Sequence, residues 1–188
     1  ILANAGSLVG ATVVTSGLGF IYWWLAARQF PPEAVGLGSA AISVMLLLGN
    51  VSVLGLGTLL IGELPRQPGK EGSLISTALL VAGVTGGGLG LLFASVAPWM
   101  SADLRVLAEN IRSISLFASG VSLTAVTLVL DQAVVGLLRS DLQLWRNTIF
   151  AIVKLVALII AGLWLNNKLG FTIYTTWLGG NIVSLTVL

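Results

Sequence analysis

The sequence predicts an all-α fold, a polytopic membrane helix bundle with six transmembrane helices. Of its 188 residues, 56% are hydrophobic and only 9% are charged, whereas about 25% of residues are charged in an average soluble domain. Six apolar segments each approach the roughly 20 residues that a helix needs to cross the hydrocarbon core. All six tryptophans lie near the ends of these segments, as in the aromatic belts of membrane interfaces.

Turn signals separate the predicted spans. Pro32 and Glu33 open the second span, because proline fits the first helical turn and a carboxylate favours the helix N-terminus. Pro98 closes the third span, and Gly170 separates the fifth from the sixth. The predicted spans are 5–27, 36–62, 73–98, 112–138, 147–165 and 171–188.

The segment from Ser101 to Leu138 is too long for one straight crossing, since it would extend about 55 Å as a helix. Ser101 resembles a helix N-cap. We therefore expect either a short interfacial turn near 102–110 or one long helix that extends beyond the bilayer.

Basic residues do not determine the orientation. One predicted membrane face carries Arg66, Lys70, Arg139 and Arg146, and the other carries Arg28, Arg105, Arg112 and Lys168. Because each face has four, the positive-inside rule is balanced.

Two charges lie inside predicted spans. Asp131 stands eight residues before Arg139, and Lys154 eight residues after Arg146. If the fourth and fifth spans form an antiparallel hairpin, Asp131 and Lys154 share one depth, about 12 Å from these arginines. A lone charge at mid-bilayer costs roughly 2.5–3.5 kcal/mol on insertion scales. The pair is therefore either a structural clip of the hairpin or a cavity-facing site for an ion, a proton or an anionic headgroup.

Other polar residues are weaker candidates for a substrate or ion pathway. Asn50, within the second span, could join helices or line a cavity. Arg28 could extend to the interface, and Arg112 could reach a cavity mouth or only flank its span. Arg139 lies at the loop end of the hairpin.

Glycines in the third span favour close helix packing. Gly83 and Gly87, and likewise Gly86 and Gly90, are four residues apart, a spacing that lets helix backbones approach. Bending during a functional cycle is the alternative interpretation.

The residue inventory argues against an enzyme, a bound cofactor and a metal site. The chain contains no His and no Cys, and it has no metal-ligand spacing or phosphate-binding glycine-lysine loop. A net charge of +2 does not suggest nucleic-acid binding. Because the chain starts without Met and ends within an apolar run, we expect it to be part of a longer protein.

Three stretches resemble one family of membrane proteins. They are GLGFIYWWLAARQFPPEAVG at 17–36, GLGTLLIGELPR at 55–66 and LDQAVVGLLR at 130–139. Together they resemble the polysaccharide-export flippases of the multidrug/oligosaccharidyl-lipid/polysaccharide (MOP) superfamily. The resemblance implies that 1–188 is the N-terminal six-helix lobe of a two-lobe transporter, whose C-terminal lobe is missing here.

The resemblance also implies a location, a cargo and a mechanism. The protein would lie in the plasma or inner membrane with a cytoplasmic N-terminus, and loops 63–72 and 139–146 would be cytoplasmic. Its cargo would be a polyprenyl pyrophosphate-linked oligosaccharide, moved by alternating access, with H⁺ or Na⁺ as candidate coupling ions. Cations suit a pyrophosphate, yet Lys154 is the main intramembrane cation of this sequence. Either the missing lobe supplies others or the cargo differs.

Three alternatives stay open at this point. The protein could be a cation-coupled drug exporter of the same superfamily. An acidic, aromatic cavity would favour that function, and the single intramembrane aspartate gives it little support. It could be an integral-membrane glycosyltransferase or ligase acting on polyprenyl-linked sugars, which would need a large polar loop. It could also be a membrane scaffold without transport activity.

Overall fold

A computed structural model describes residues 2–100, 103–164 and 170–186. Every regular element in these ranges is helical, which confirms the all-α prediction for the described part of the chain. The α-helices are α1 (Leu2–Gln29), α2 (Pro32–Ser52), α3 (Leu56–Glu63), α4 (Glu71–Met100), α5 (Ile111–Gly136), α6 (Ser140–Trp164) and α7 (Gly170–Leu185); short 3₁₀ helices cover Leu64–Arg66 and Asp103–Ala108.

Helices long and apolar enough to cross a membrane confirm the membrane class. Among the described residues there are four of them, namely α2, α4, α5 and α6. The first and sixth predicted spans correspond to α1 and α7, and both stay predictions as spans. Helix α7 has 16 residues, fewer than the roughly 20 needed for a full crossing.

The second predicted span is not one continuous helix. It begins at Pro32 as expected, but α2 ends at Ser52 and α3 starts at Leu56. Between them, Leu54 and Gly55 have φ values of 51° and 76°. These left-handed conformations end a helix, and glycine adopts them without steric cost. Hydropathy alone did not reveal the break, because both sides of it are apolar.

A separate short helix lies between α4 and α5, as the first of the two expectations for this region required. Asp103–Ala108 forms the 3₁₀ helix, so the alternative of one long helix is wrong. Asn110 caps α5 by accepting a hydrogen bond from the Ser113 amide at 2.9 Å. The predicted cap Ser101 lies outside the described residues.

Two other predicted boundaries shift. Helix α4 continues past Pro98 to Met100, because a proline removes bonds to the preceding turn and does not by itself prevent two further helical residues. Helix α6 begins at Ser140 rather than 147, with Asp141 in its first turn. A carboxylate there favours the helix N-terminus, so most of the predicted 139–146 loop is helical.

The chain divides into two compact units. The first comprises 1–42 and 138–188, and in it α6 packs against both α1 and α7. The second comprises 43–137, and in it α5 packs against α4 and α3. One core cluster of the second unit consists of Leu60, Leu64, Ala78, Ala82, Ala125, Val129 and Ala133.

The glycines of α4 make the α4–α5 packing possible, which confirms the close-packing interpretation. A Cβ atom at Gly90 would lie 2.7 Å from the Ala118 Cα, and one at Gly86 would lie 3.0 Å from the Ser122 Cα. The Ser122 hydroxyl also donates a hydrogen bond of 2.8 Å to the Gly83 carbonyl. The backbones of α4 and α5 therefore approach most closely at Gly86 and Gly90, within a buried stripe of small residues on α4.

Candidate functional site: a lysine in an aromatic box

One face of α6 carries a buried cation. Lys154 is only 4% exposed, although α6 is one of the four helices apolar enough to span the membrane. The buried residues of this helix are Ser140, Arg146, Ala151, Lys154, Leu158 and Ala161. Lys154 therefore lies on the face of α6 that packs within the first unit.

Three aromatic rings from three helices surround the Lys154 ammonium. Its Nζ atom lies 3.8 Å from the Trp177 ring centroid on α7, 4.6 Å from Phe150 on α6 and 5.1 Å from Tyr22 on α1. All three distances fall within the roughly 6 Å range of cation–π attraction, which is strongest for tryptophan. We call Tyr22, Phe150 and Trp177 the aromatic box.

The box is held in place by its own contacts. The Tyr22 hydroxyl donates to the Ile173 carbonyl at 3.1 Å and shares a hydrogen bond of 2.9 Å with Thr176. The Trp177 ring meets Tyr22 edge-on at 5.8 Å and Phe150 edge-on at 5.3 Å. Such edge-to-face pairs stabilise beyond the area they bury. The rings therefore fix α7 against both α1 and α6.

Gly180 lets α7 approach the lysine closely. A Cβ atom there would lie 3.1 Å from both the Lys154 Cβ and the Phe150 Cδ2. These neighbours belong to the box and to the cation it holds. A glycine at position 180 therefore allows the close packing of α7 against Lys154 and Phe150.

We expect Gly180→Ala to lower the free energy of unfolding by about 1–2 kcal/mol, because an added methyl overfills a packed interface. Gly179→Ala is a matched control, since a Cβ there has nothing within 4 Å; alanine also suits a helix better than glycine does. Thermal unfolding in detergent, followed by tryptophan fluorescence, measures both. Equal stabilities of the two variants would contradict the close approach.

The box partly offsets the cost of burying a charge. An ammonium without water or partners is strongly disfavoured in an apolar interior, whereas each well-placed ring contributes about 0.5–2 kcal/mol. The lysine also keeps three N–H donors and a compact charge. Chemically, the site can hold a cation in the membrane and present it to an anion that displaces a ring.

The predicted partner Asp131 lies on α5 and is partly buried. It belongs to the second compact unit, and Lys154 belongs to the first. The Asp131–Lys154 pair therefore stays a prediction, as does the hairpin on which it was based.

Two other candidates are engaged by near neighbours along the chain. The exposed Asn50 side chain donates to the Leu46 carbonyl at 2.8 Å, so it bonds to its own helix. The exposed Arg28 guanidinium lies over the Trp24 ring at 4.2 Å, which fits an arginine at a helix end. Neither residue contacts the aromatic box in these interactions.

The two other arginine candidates differ sharply in exposure from Arg146. Arg112, in the first turn of α5, and Arg139, just before α6, are both exposed. Arg146 is only 4% exposed and donates to the Asn147 side-chain oxygen at 2.8 Å. Arg146 was predicted to lie in the 139–146 loop at a membrane face, because the fifth span was predicted to begin at 147. Because α6 begins at Ser140, Arg146 lies within this helix.

The aromatic box was not predicted from the sequence. Trp177 was predicted only as part of the interfacial belt, and that assignment stays a prediction; the structure shows in addition that its ring lies beside Lys154. One signal was present, since Phe150 and Lys154 are four residues apart and such residues are neighbours on a helix. The contributions of α1 and α7 depend on helix rotation, which periodicity does not fix.

Comparison with known proteins identifies the family. The family model described as "Polysaccharide biosynthesis protein" matches residues 1–188. No match to the chain is found among curated proteins or among solved structures. The resemblance seen in the three sequence stretches is thus confirmed over the whole chain. The chain belongs to the polysaccharide biosynthesis protein family, a family of flippases of the MOP superfamily that move polysaccharides or lipid-linked oligosaccharides.

Proposed function

We propose that this protein is a flippase for a lipid-linked oligosaccharide used in cell-surface polysaccharide synthesis. The family match supports transport in general. The observation that carries the finer proposal is the buried Lys154 ammonium inside a membrane-type helix. An ionisable residue inside the membrane is by default a candidate functional site, and this cation complements the diphosphate of a polyprenyl-linked sugar.

Alternating access is the proposed mechanism. The diphosphate would bind more tightly to a state in which Lys154 is accessible than to a state in which it is enclosed. A ligand shifts a conformational equilibrium by its difference in affinity for the two states. The state with Lys154 in the aromatic box would be the resting state, and cargo would favour the open one.

Several architectural features belong to this proposal. The chain would form the N-terminal six-helix lobe, facing a C-terminal lobe of the same protein across a cavity, as in repeat-built transporters. The N-terminus would be cytoplasmic in the plasma or inner membrane. H⁺ or Na⁺ would be the coupling ion, and Asp131 would balance Lys154 in one state of the cycle.

Reconstitution of the complete protein in liposomes tests the function. We expect a fluorescent polyprenyl diphosphate-linked oligosaccharide to cross the bilayer in a protein-dependent manner, faster under an imposed ion gradient or membrane potential. Accessibility of the label to an added quencher measures the crossing. Absence of protein-dependent translocation under every gradient would reject the flippase proposal.

The alternatives are separate outcomes of the same preparation. Gradient-driven efflux of a cationic dye without movement of the lipid-linked sugar would indicate a drug exporter. The box offers little support for that function, because its rings already hold a cation of the chain itself. Release of free polyprenyl diphosphate would indicate a glycosyltransferase or ligase. Absence of transport, dye efflux and diphosphate release would indicate a membrane scaffold.

The proposed Asp131–Lys154 pair needs its own test. Asp131→Asn, Lys154→Gln and the double variant form a double-mutant cycle, which isolates the pairwise term. If the double variant regains both folding and transport, the pair is a structural clip. If all three variants fold but none transports, the two charges act in transport.

A further inference from the structure

We infer that the aromatic box competes with the cargo for the Lys154 ammonium, so that its rings set cargo affinity and keep the site closed until an anion arrives. This inference rests on the proposed function, since it assigns the anionic group of a lipid diphosphate to Lys154. It adds a role for Tyr22, Phe150 and Trp177 as positioning residues that act through the lysine.

Burial supplies the first step of the argument. Lys154 is 4% exposed and Tyr22 is 0% exposed, so a bulky anionic headgroup does not reach the ammonium in this state. Contact with cargo requires at least one side of the box to move. The box therefore describes a closed state of the site.

The contacts indicate which side moves. Trp177 has the shortest ring distance to the ammonium, 3.8 Å, and it lies on α7. The hydrogen-bond partners of the Tyr22 hydroxyl, the Ile173 carbonyl and Thr176, also belong to α7. Displacement of α7 would therefore remove the strongest ring and break the Tyr22 bonds together. Release of the lysine and movement of α7 become one event.

Competition has a definite consequence for affinity. When the binding-competent state is a minor fraction of the population, the apparent dissociation constant is the intrinsic constant divided by that fraction. Loss of one strong cation–π contact should increase that fraction, and with it cargo affinity, by about 5–30-fold. A box with a purely structural role gives the opposite sign, because its disruption weakens the site.

Binding of farnesyl diphosphate to the complete protein in nanodiscs tests the inference without requiring transport. We expect Trp177→Leu to bind this probe about 5–30-fold more tightly than the unsubstituted protein, and Trp177→Phe to give a smaller gain because one ring remains. Adding Lys154→Gln to Trp177→Leu should abolish the gain in farnesyl diphosphate affinity. Trp99→Leu is the matched control, since Trp99 is 89% exposed. Farnesol, which lacks the diphosphate, should bind equally to all variants.

The outcomes separate this inference from the proposed function. Tighter binding by Trp177→Leu that depends on Lys154 supports the competition, even if liposomes show no translocation. Unchanged or weaker binding by folded Trp177→Leu and Trp177→Phe overturns it, even if translocation is normal. Absence of diphosphate binding in every variant also overturns it. Fluorescence-detected size exclusion establishes folding, and Trp177→Phe decides the result if the leucine variant does not fold.

Discussion

Lys154→Met is expected to lower translocation of the lipid-linked cargo by about 100-fold while leaving the protein folded. Hydrogen bonds to charged groups each contribute about 1.5–3 kcal/mol, and loss of about 2.7 kcal/mol at the rate-limiting step corresponds to 100-fold. The quencher assay in liposomes measures the rate. The effect follows from the position of Lys154, since it is the cation that the first unit encloses in aromatic rings.

The stability of Lys154→Met is not expected to fall with its transport rate. Methionine has nearly the length of lysine without its charge, and its sulfur makes favourable contacts with aromatic rings. Replacement of a buried charge by an apolar group of similar volume is often neutral or stabilising. We therefore expect an unchanged or higher unfolding temperature for Lys154→Met. This combination separates a functional charge from a structural one.

Lys70→Met is the matched control, because Lys70 is exposed in the turn before α4. It should retain the unsubstituted transport rate. Lys154→Arg keeps the charge and should retain part of the activity, since a guanidinium also binds phosphate but is larger and planar. Full transport by Lys154→Met would show that Lys154 has no role in the mechanism. A large loss of stability would show that its charge has a structural role.

Composition and apolar length predicted the helical class, and Pro32 marked the start of α2 correctly. These signals work because a membrane helix must satisfy all its backbone groups internally over a fixed apolar length. The α2–α3 break was not predicted. It depends on the left-handed backbone at Leu54 and Gly55, and an isolated Gly in an apolar run is common within membrane helices.

The candidate site was predicted in part. Lys154 was evident because a charge within an apolar segment is conspicuous in any hydropathy pattern. Its surroundings were not evident, because Trp177 and Tyr22 are 23 and 132 residues away in the sequence. Which residues meet across helices depends on helix rotation and crossing geometry. Sequence spacing fixes only which residues share one helix face.

Gly90→Leu is expected to have the largest effect on stability, with a loss of about 3 kcal/mol or failure to fold. Overpacking of a close interface costs typically about 1–3 kcal/mol and occasionally more. Here the first added atom would lie 2.7 Å from the Ala118 Cα, so the obstacle is backbone and not a side chain that can rotate away. The α4–α5 contact would have to open.

Gly88→Leu provides the control within the same helix, since Gly88 is exposed and a Cβ there has nothing within 4 Å. The two substitutions add the same side chain to the same apolar helix two residues apart. They therefore change hydropathy and helix propensity equally and differ only in the face they occupy. In thermal unfolding experiments in detergent, Gly90→Leu should therefore be less stable than Gly88→Leu by the whole cost of overpacking the interface. If both variants are equally stable, α4 and α5 do not pack through Gly90, and the interface that organises the second unit would need another basis.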